Sequence, residues 1–536
     1  MPAGGLSPIN RALNLVPKRA DQSQAHRLAD TFVDSGVSAA LEAIDHQVVY
    51  GRRGTGKTHA LRFLEASAHA QGDTALYLDL RTIGSPAGLF GTGDVPATER
   101  TARLLVDMLT QLHDELLSTA VNDHGLLGDQ HFVAALDRLA ASITTVRVSD
   151  EVELERSGEA STSRTSGSGF GVTAKPAPEL VAYLESTHEG SRREAVRETR
   201  RGTERVGLVF GDVARALRDV THALGHQRVW LLLDEWSSVP IDVQPMLAEF
   251  LVRCVLPLQR VTVKIAAIEQ QSSFMAMASS STGATGQTIG IELGADVAAS
   301  LDLDDFMVFE QNEDRARAFF RGLLYKHLVS GAEPGDGLDE LQSEDDVVRL
   351  GFADKRAFDE LVRAAEGVPR DAINIAAKAG MRAGAEPISL GDVRYAARSW
   401  FQTDKVAALR SRDEALHLLY WIIDDVIRGK RARGFLVNQR TTVNPLLLTL
   451  FDARVLHVVR RGYSAQDEPG ERYDVWVVDY GAYVDLMHTS YEPKGLLPNG
   501  GHAAAPGEST AWEDVPTQDL RAVRRAILDL DAYQPA

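Results

Sequence analysis

The chain has a single cysteine, Cys254, so it can form no internal disulfide and no cysteine-rich zinc site, and a cytoplasmic, reducing location is expected. A small, buried, apolar role suits that thiol better than catalysis. Long hydrophobic runs are also lacking. The longest, such as residues 418–423, fall well short of the ~20 residues needed to cross a bilayer, and the first twenty residues hold no continuous apolar stretch of secretory type. No membrane role is expected. Positive charge is in deficit, with 57 Lys and Arg against 75 Asp and Glu and a net charge of −18. That balance argues against coating nucleic acid or an anionic membrane with the whole surface, and leaves room for a local basic patch.

What is present is an ordinary globular composition, 44% apolar and 25% charged over 536 residues, enough for three or four units with cores of their own. Residues 48–50 form a short apolar run entering a glycine-rich turn. A helical pattern follows from Thr58, with Leu61, Leu64 and Ala68 on one face and Gly72 near its end. Residues 75–80 have strand character, which closes a βαβ unit and makes a parallel sheet the default. Helical patterns cover residues 99–121 and 131–148. From 149 to 178 Ser, Gly, Thr and Glu dominate, and so little apolar area reads as a flexible insertion open to proteolysis. Arg192, Arg193, Arg197, Arg200, Arg201 and Arg205, interleaved with glutamates, read as a solvated helix laced with ion pairs rather than a nucleic-acid site. Strands are expected at 229–233, 261–268 and 306–309, and helices alone from 312 to 383. Beyond Trp400 helices mix with strands near 434–437, 455–459 and 473–479. A tail rich in Gly, Ala and Pro follows, with a last helical stretch near 519–530.

Two motifs carry chemistry. Gly51-Arg52-Arg53-Gly54-Thr55-Gly56-Lys57-Thr58 stands between a strand and a helix, the context required of a loop whose backbone N–H groups cradle phosphates at a helix N-terminus. Lys57 would reach the β and γ phosphates and the Thr58 hydroxyl would ligate Mg²⁺, with His59 closing the binding stretch. The second motif is the apolar strand 229–233 ending in Asp234-Glu235. A carboxylate at that strand tip can hold the metal, directly or through water, and Glu235 can polarise an attacking water. ATP and Mg²⁺ are the expected cofactors, and ATP hydrolysis the expected reaction.

With these residues in place the sequence resembles the origin-recognition (ORC/Cdc6-like) branch of the AAA+ ATPases, in its bacterial relatives, over residues 30–490. The resemblance rests on the loop Gly51 to Thr58, on Leu231-Leu-Leu-Asp-Glu-Trp236, on Lys264-Ile-Ala-Ala-Ile-Glu269 and on Gly367-Val-Pro-Arg370. It implies an α/β fold: a P-loop NTPase αβα core at residues 1–310, with a helical and flexible insertion at about 85–225, and a helical lid at 311–400. A winged-helix-like α+β domain at 401–490 and a loosely ordered tail at 491–536 complete the division. It also implies that Arg370 senses the γ-phosphate from the lid, a task suited to a permanently charged fork donor. A sensor at Glu269 or Gln270 is implied too, with Gln270 the better chemical match. The chain departs from the pattern in having no arginine between Gln270 and Phe309, where a finger for a neighbouring subunit is usual. Either a partner or another segment supplies it, or hydrolysis is slow unless stimulated and the protein is mainly a nucleotide-gated switch. Arg428, Lys430, Arg431, Arg433 and Arg440 could meet DNA phosphates. Yet the helix in the recognition position, residues 444–451, is apolar and offers nothing suited to base edges. DNA and a protein partner, including further copies of this chain, both stay open; a conflict-system switch is the alternative role.

Overall fold

The computed structural model describes residues 5–20, 25–84, 97–122, 124–143, 146–149, 170–173, 203–277, 288–297, 299–306, 312–425, 434–442, 444–464, 471–486 and 526–533. Strand β1 (Gln47–Tyr50) leads through the glycine loop into the helix Lys57–Ala70 and then β2 (Thr74–Asp79). Helices Ala97–Asn122 and Gln130–Ile143 follow. A peripheral antiparallel sheet comprises β3 (Val146–Ser149), β4 (Phe170–Thr173) and β5 (Thr203–Leu208), with β5 in the middle. The helix expected through 148 therefore ends at Ile143, because the β-branched run Ile143-Thr-Thr-Val146 favours extended backbone. Arg205 lies in β5, not in a helix. The other arginines of that expected helix, and most of the expected flexible insertion, lie outside the described residues.

The chain then returns through the helix Phe210–Ala223, β6 (Val229–Asp234), the helix Gln244–Cys254, β7 (Val261–Ala267), a hairpin of β8 (Met275–Met277) and β9 (Thr288–Gly290), and β10 (Ala299–Asp302). The central sheet is parallel, in the order β10-β1-β7-β6-β2. It is the αβα core of a P-loop NTPase. Alternation along β6 shows why it forms. Val229, Leu231 and Leu233 enter the large core under the helices of one face, whereas Trp230 and Leu232 pack with Leu61, Leu64 and Ala68 of the loop helix on the other. Each fully buried leucine contributes about 2 kcal/mol by the area it removes from water. β10 (Ala299–Asp302) is an edge strand not expected from the sequence, and Leu303–Phe306 form a 3₁₀ turn; the strand expected at 306–309 lies, beyond Phe306, outside the described residues.

A helical unit comprises Glu313–Ser330, Glu344–Gly351, Lys355–Ala364, Pro369–Ala383 and Leu390–Trp400. Its core also takes Ile9, Leu13 and Val16 from the first helix, Pro8–Leu15. Asn10 locks that helix in place by donating to the Gly384 and Glu386 carbonyls at 2.8 and 2.9 Å. The first helix thus packs on the helical unit, although the expected core at residues 1–310 includes it. Past a π turn at Phe401–Lys405 comes a third, α+β unit. Here β11 (Gly434–Asn438), β12 (Leu456–Ser464) and β13 (Arg472–Val478) form an antiparallel sheet in the order β11-β13-β12, with helices Asp413–Ile422, Pro445–Asp452 and Tyr480–Leu486. Leu436 of β11 pairs on its other side with Ala526 and Leu528, so the end of the expected terminal helix is extended backbone followed by a 3₁₀ turn at Leu530–Ala532. Among the described residues no helix is long and apolar enough to cross a membrane.

Candidate functional site

The carboxyl ends of β1, β6 and β7 reach the same edge of the sheet, and the glycine loop, Asp234-Glu235 and residues 269–271 meet there. Gly54 and Gly56 have φ of 92° and 101°, a left-handed conformation that only glycine adopts freely. At Gly54 a Cβ would also lie 2.8 Å from that of Arg370. The helix starting at Lys57 has no side-chain cap, which leaves its first N–H groups directed at the loop's concavity. Lys57 is buried and donates to the Gly51 and Arg52 carbonyls at 2.6 and 3.1 Å. Burial lowers its pKa, opposed by the carboxylates of Glu235, Asp234 and Asp304. The Thr55 hydroxyl donates to the Arg52 carbonyl at 2.9 Å and holds the loop's shape.

Asp234 is fully buried; its Oδ2 accepts from the Tyr77 hydroxyl at 2.6 Å and its Oδ1 from the Glu235 N–H at 2.8 Å. Glu235 has φ of 56°, a left-handed conformation costing a non-glycine residue about 1–2 kcal/mol. That backbone turns its carboxylate into the cleft, where Arg81 lies 3.7 Å away. Arg370 donates its backbone N–H to the Gly54 carbonyl at 3.2 Å and lines the cleft, so the helical unit closes directly over the loop.

The cleft so formed has a volume of about 370 Å³. Among the described residues, Lys18, Arg19, Arg53, Lys57, Arg81 and Arg370 line it against one carboxylate, Glu235, although the chain as a whole is acidic. Thr58 lines it as well. The other end is formed by Pro17, His59, Leu323, His327 and Ile373. Most of this second group had no sequence signal, since it comes from the start of the chain and from the helical unit and belongs to no contiguous motif.

Two expected residues are placed differently. Gln270 lies in a separate small cleft beside Asp302 and Phe451, while its neighbour Gln271 lines the main cleft and donates to Asp452 at 2.8 Å. Gln271 is therefore the residue of this turn that reaches the site. Arg52 points away from the cleft: it pairs with Asp304 at 2.8 Å, donates to His457 Nδ1 at 2.9 Å and covers the Phe451 ring at 4.4 Å. Its backbone N–H is engaged as well, donating to Asp304 Oδ2 at 2.8 Å. The recognition-position helix, Pro445–Asp452, buries Leu447, Leu450 and Phe451 and sets its C-terminal end against the loop. Arg440 is exposed and pairs with Glu471; the rest of the basic run lies outside the described residues.

Three imidazoles are neutral by burial: His59 and His457 are lowered to about 4 and His327 to about 3. The unfolded chain binds protons on these groups near pH 6.5, so their contribution is intact above that value and lost as pH falls towards 4. About 2 kcal/mol per histidine should be lost between pH 7 and pH 5. Urea midpoints at the two pH values, at fixed ionic strength, measure this, and an unchanged midpoint would speak against it.

A family model described as ORC-CDC6-like matches residues 15–84, which span β1, the glycine loop, its helix and β2. Over those residues the chain is similar to the ORC-CDC6-like family. No curated protein matches the chain. Among solved structures, two variants of RuvB from Thermotoga maritima match it at 11% and 13% identity, covering 89% and 88% of this chain and 98% of each of theirs, both with a TM-score of 0.30.

Proposed function

We propose that this chain is ORC/Cdc6-like throughout, binds Mg-ATP in the cleft, hydrolyses it, and couples the γ-phosphate to the position of the helical unit. The concentration, among the described residues, of six cations on a cleft with one carboxylate, in an otherwise acidic chain, is the observation that carries the reading. Lys57 would exchange the Gly51 and Arg52 carbonyls for β and γ oxygens, and the loop N–H groups with the start of the helix would take the remaining phosphate charge. Thr58 and Asp234 suit a magnesium ion: among the described residues the Thr58 hydroxyl has no hydrogen-bond partner, whereas both Asp234 oxygens are engaged, which favours contact through water. Such an ion, when bound, neutralises phosphate charge. Glu235 would orient and polarise the attacking water, and Gln271 replaces Gln270 as the sensor candidate.

Arg370 would bind the γ-phosphate and tie the helical unit to the core. Arg370→Ala should leave ADP affinity nearly unchanged and weaken the preference for ATP by about 1.5 to 3 kcal/mol. Competition titrations with both nucleotides measure this, and an unaltered preference would reduce Arg370 to a packing residue.

The α+β unit, read as winged-helix-like, would receive the partner. Docking of its recognition-position helix on the glycine loop, together with the lack of arginine between 270 and 309, favours an assembly or signalling switch with slow turnover over a DNA-stimulated motor. Phosphate release measured alone and with duplex DNA separates the two. Strong stimulation by DNA, with salt-dependent retention, would reverse that preference.

A further inference from the structure

Behind the cleft runs a chain of buried charges that starts at the glycine loop and ends beside Arg370. Arg52 donates to His457 Nδ1, which must therefore accept, so the imidazole proton sits on Nε2 and is donated to Asp479 at 3.0 Å. Asp479 also accepts from Lys405 at 2.5 Å, and Lys405 pairs with Asp371 at 2.7 Å. Asp371 is fully buried and further held by the Trp400 indole N–H at 3.0 Å and by the Arg454 guanidinium. Arg454 extends its other nitrogen to Asp404 at 2.9 Å and occupies a left-handed backbone position, φ 62°. Asp371 follows Arg370 in the first turn of the helix Pro369–Ala383.

We propose that Arg454 of the α+β unit is a positioning residue for Arg370: by clamping Asp371 it fixes the first turn of that helix and hence the aim of Arg370 into the cleft. The α+β unit is then a built part of the nucleotide site, held to the loop at Arg52 and to the helical unit at Asp371. This rests on the nucleotide reading of the cleft. A charge clamp suits the task because a buried carboxylate with three donors has one low-energy orientation, and removing one donor frees it to turn. Arg454 is also close enough for its charge to add to burial in lowering the pKa of Arg370, so the two guanidiniums share one environment.

The test is a double-mutant cycle on the full chain, read as the ratio of ADP to ATP dissociation constants. Arg454→Met should lower that ratio about five- to tenfold with ADP affinity within about twofold, Arg454→Lys should restore most of it, and Arg370→Ala with Arg454→Met should be no worse than Arg370→Ala alone. General loosening would instead multiply the two losses and weaken ADP as well. An unchanged ratio in Arg454→Met, or multiplied losses in the double variant, would overturn the proposal. Should Arg454→Met not fold, Asp404→Asn removes the partly exposed partner of Arg454; a loss of about threefold supports the proposal and an unchanged ratio overturns it. Failure of the wild type to bind either nucleotide would overturn the reading of the cleft itself.

Discussion

Lys57→Ala is expected to abolish ATP binding, weakening it by roughly 100- to 1,000-fold while the protein stays folded. The ammonium is buried among the loop carbonyls, with acidic groups near it and, among the described residues, no other carboxylate than Glu235 lining the cleft. A triphosphate competes for it by offering oxygens of full negative charge, and charge-assisted bonds to two phosphates together supply about 3 to 5 kcal/mol. The loop should survive the loss, because Arg52 keeps the Thr55 hydroxyl on its carbonyl and the Gly54–Arg370 backbone bond does not involve Lys57. Anisotropy of a labelled ATP analogue reads the affinity. Retention of binding in a folded Lys57→Ala protein would mean that the phosphates lie elsewhere.

Glu235→Gln should behave in the opposite way, with ATP affinity within about threefold of wild type and turnover reduced about 100- to 10,000-fold. Glutamine keeps the shape and accepts the same left-handed backbone cost, so the cleft retains its geometry and loses only the group able to polarise water. The nearby Arg81 is anchored by Asp79 at 2.6 Å and does not depend on Glu235. Single-turnover phosphate release beside equilibrium binding separates the effects. Equal loss of affinity in Lys57→Ala and Glu235→Gln would contradict the division of roles between them.

The parts of the site that could be read in the sequence are those encoded by neighbours in the chain. The turn at Gly54 and Gly56, the helix after Lys57 and the acidic pair at the tip of an apolar strand are each set by a few consecutive residues, and all meet at one sheet edge. The misplaced residues depended on distant partners. Gln270 and Gln271 differ by one step around a 3₁₀ turn, and which one faces the cleft is decided by Gln244 and Asp452. Arg52 looks like a phosphate ligand until His457 and Phe451, some 400 positions away, turn it aside. The apolar helix Pro445–Asp452 offered little for DNA because its residues are a core and a docking face. The same holds for Pro17 and His327, which become cleft residues only once the first helix settles on the helical unit.

Calorimetric titration of the purified, folded chain with ATP, in excess Mg²⁺ and again in EDTA, tests the central claim most directly. The cleft predicts saturable binding of one ATP per chain, weakened when the metal is removed. Heats no larger than dilution, in protein shown to be folded, would contradict it.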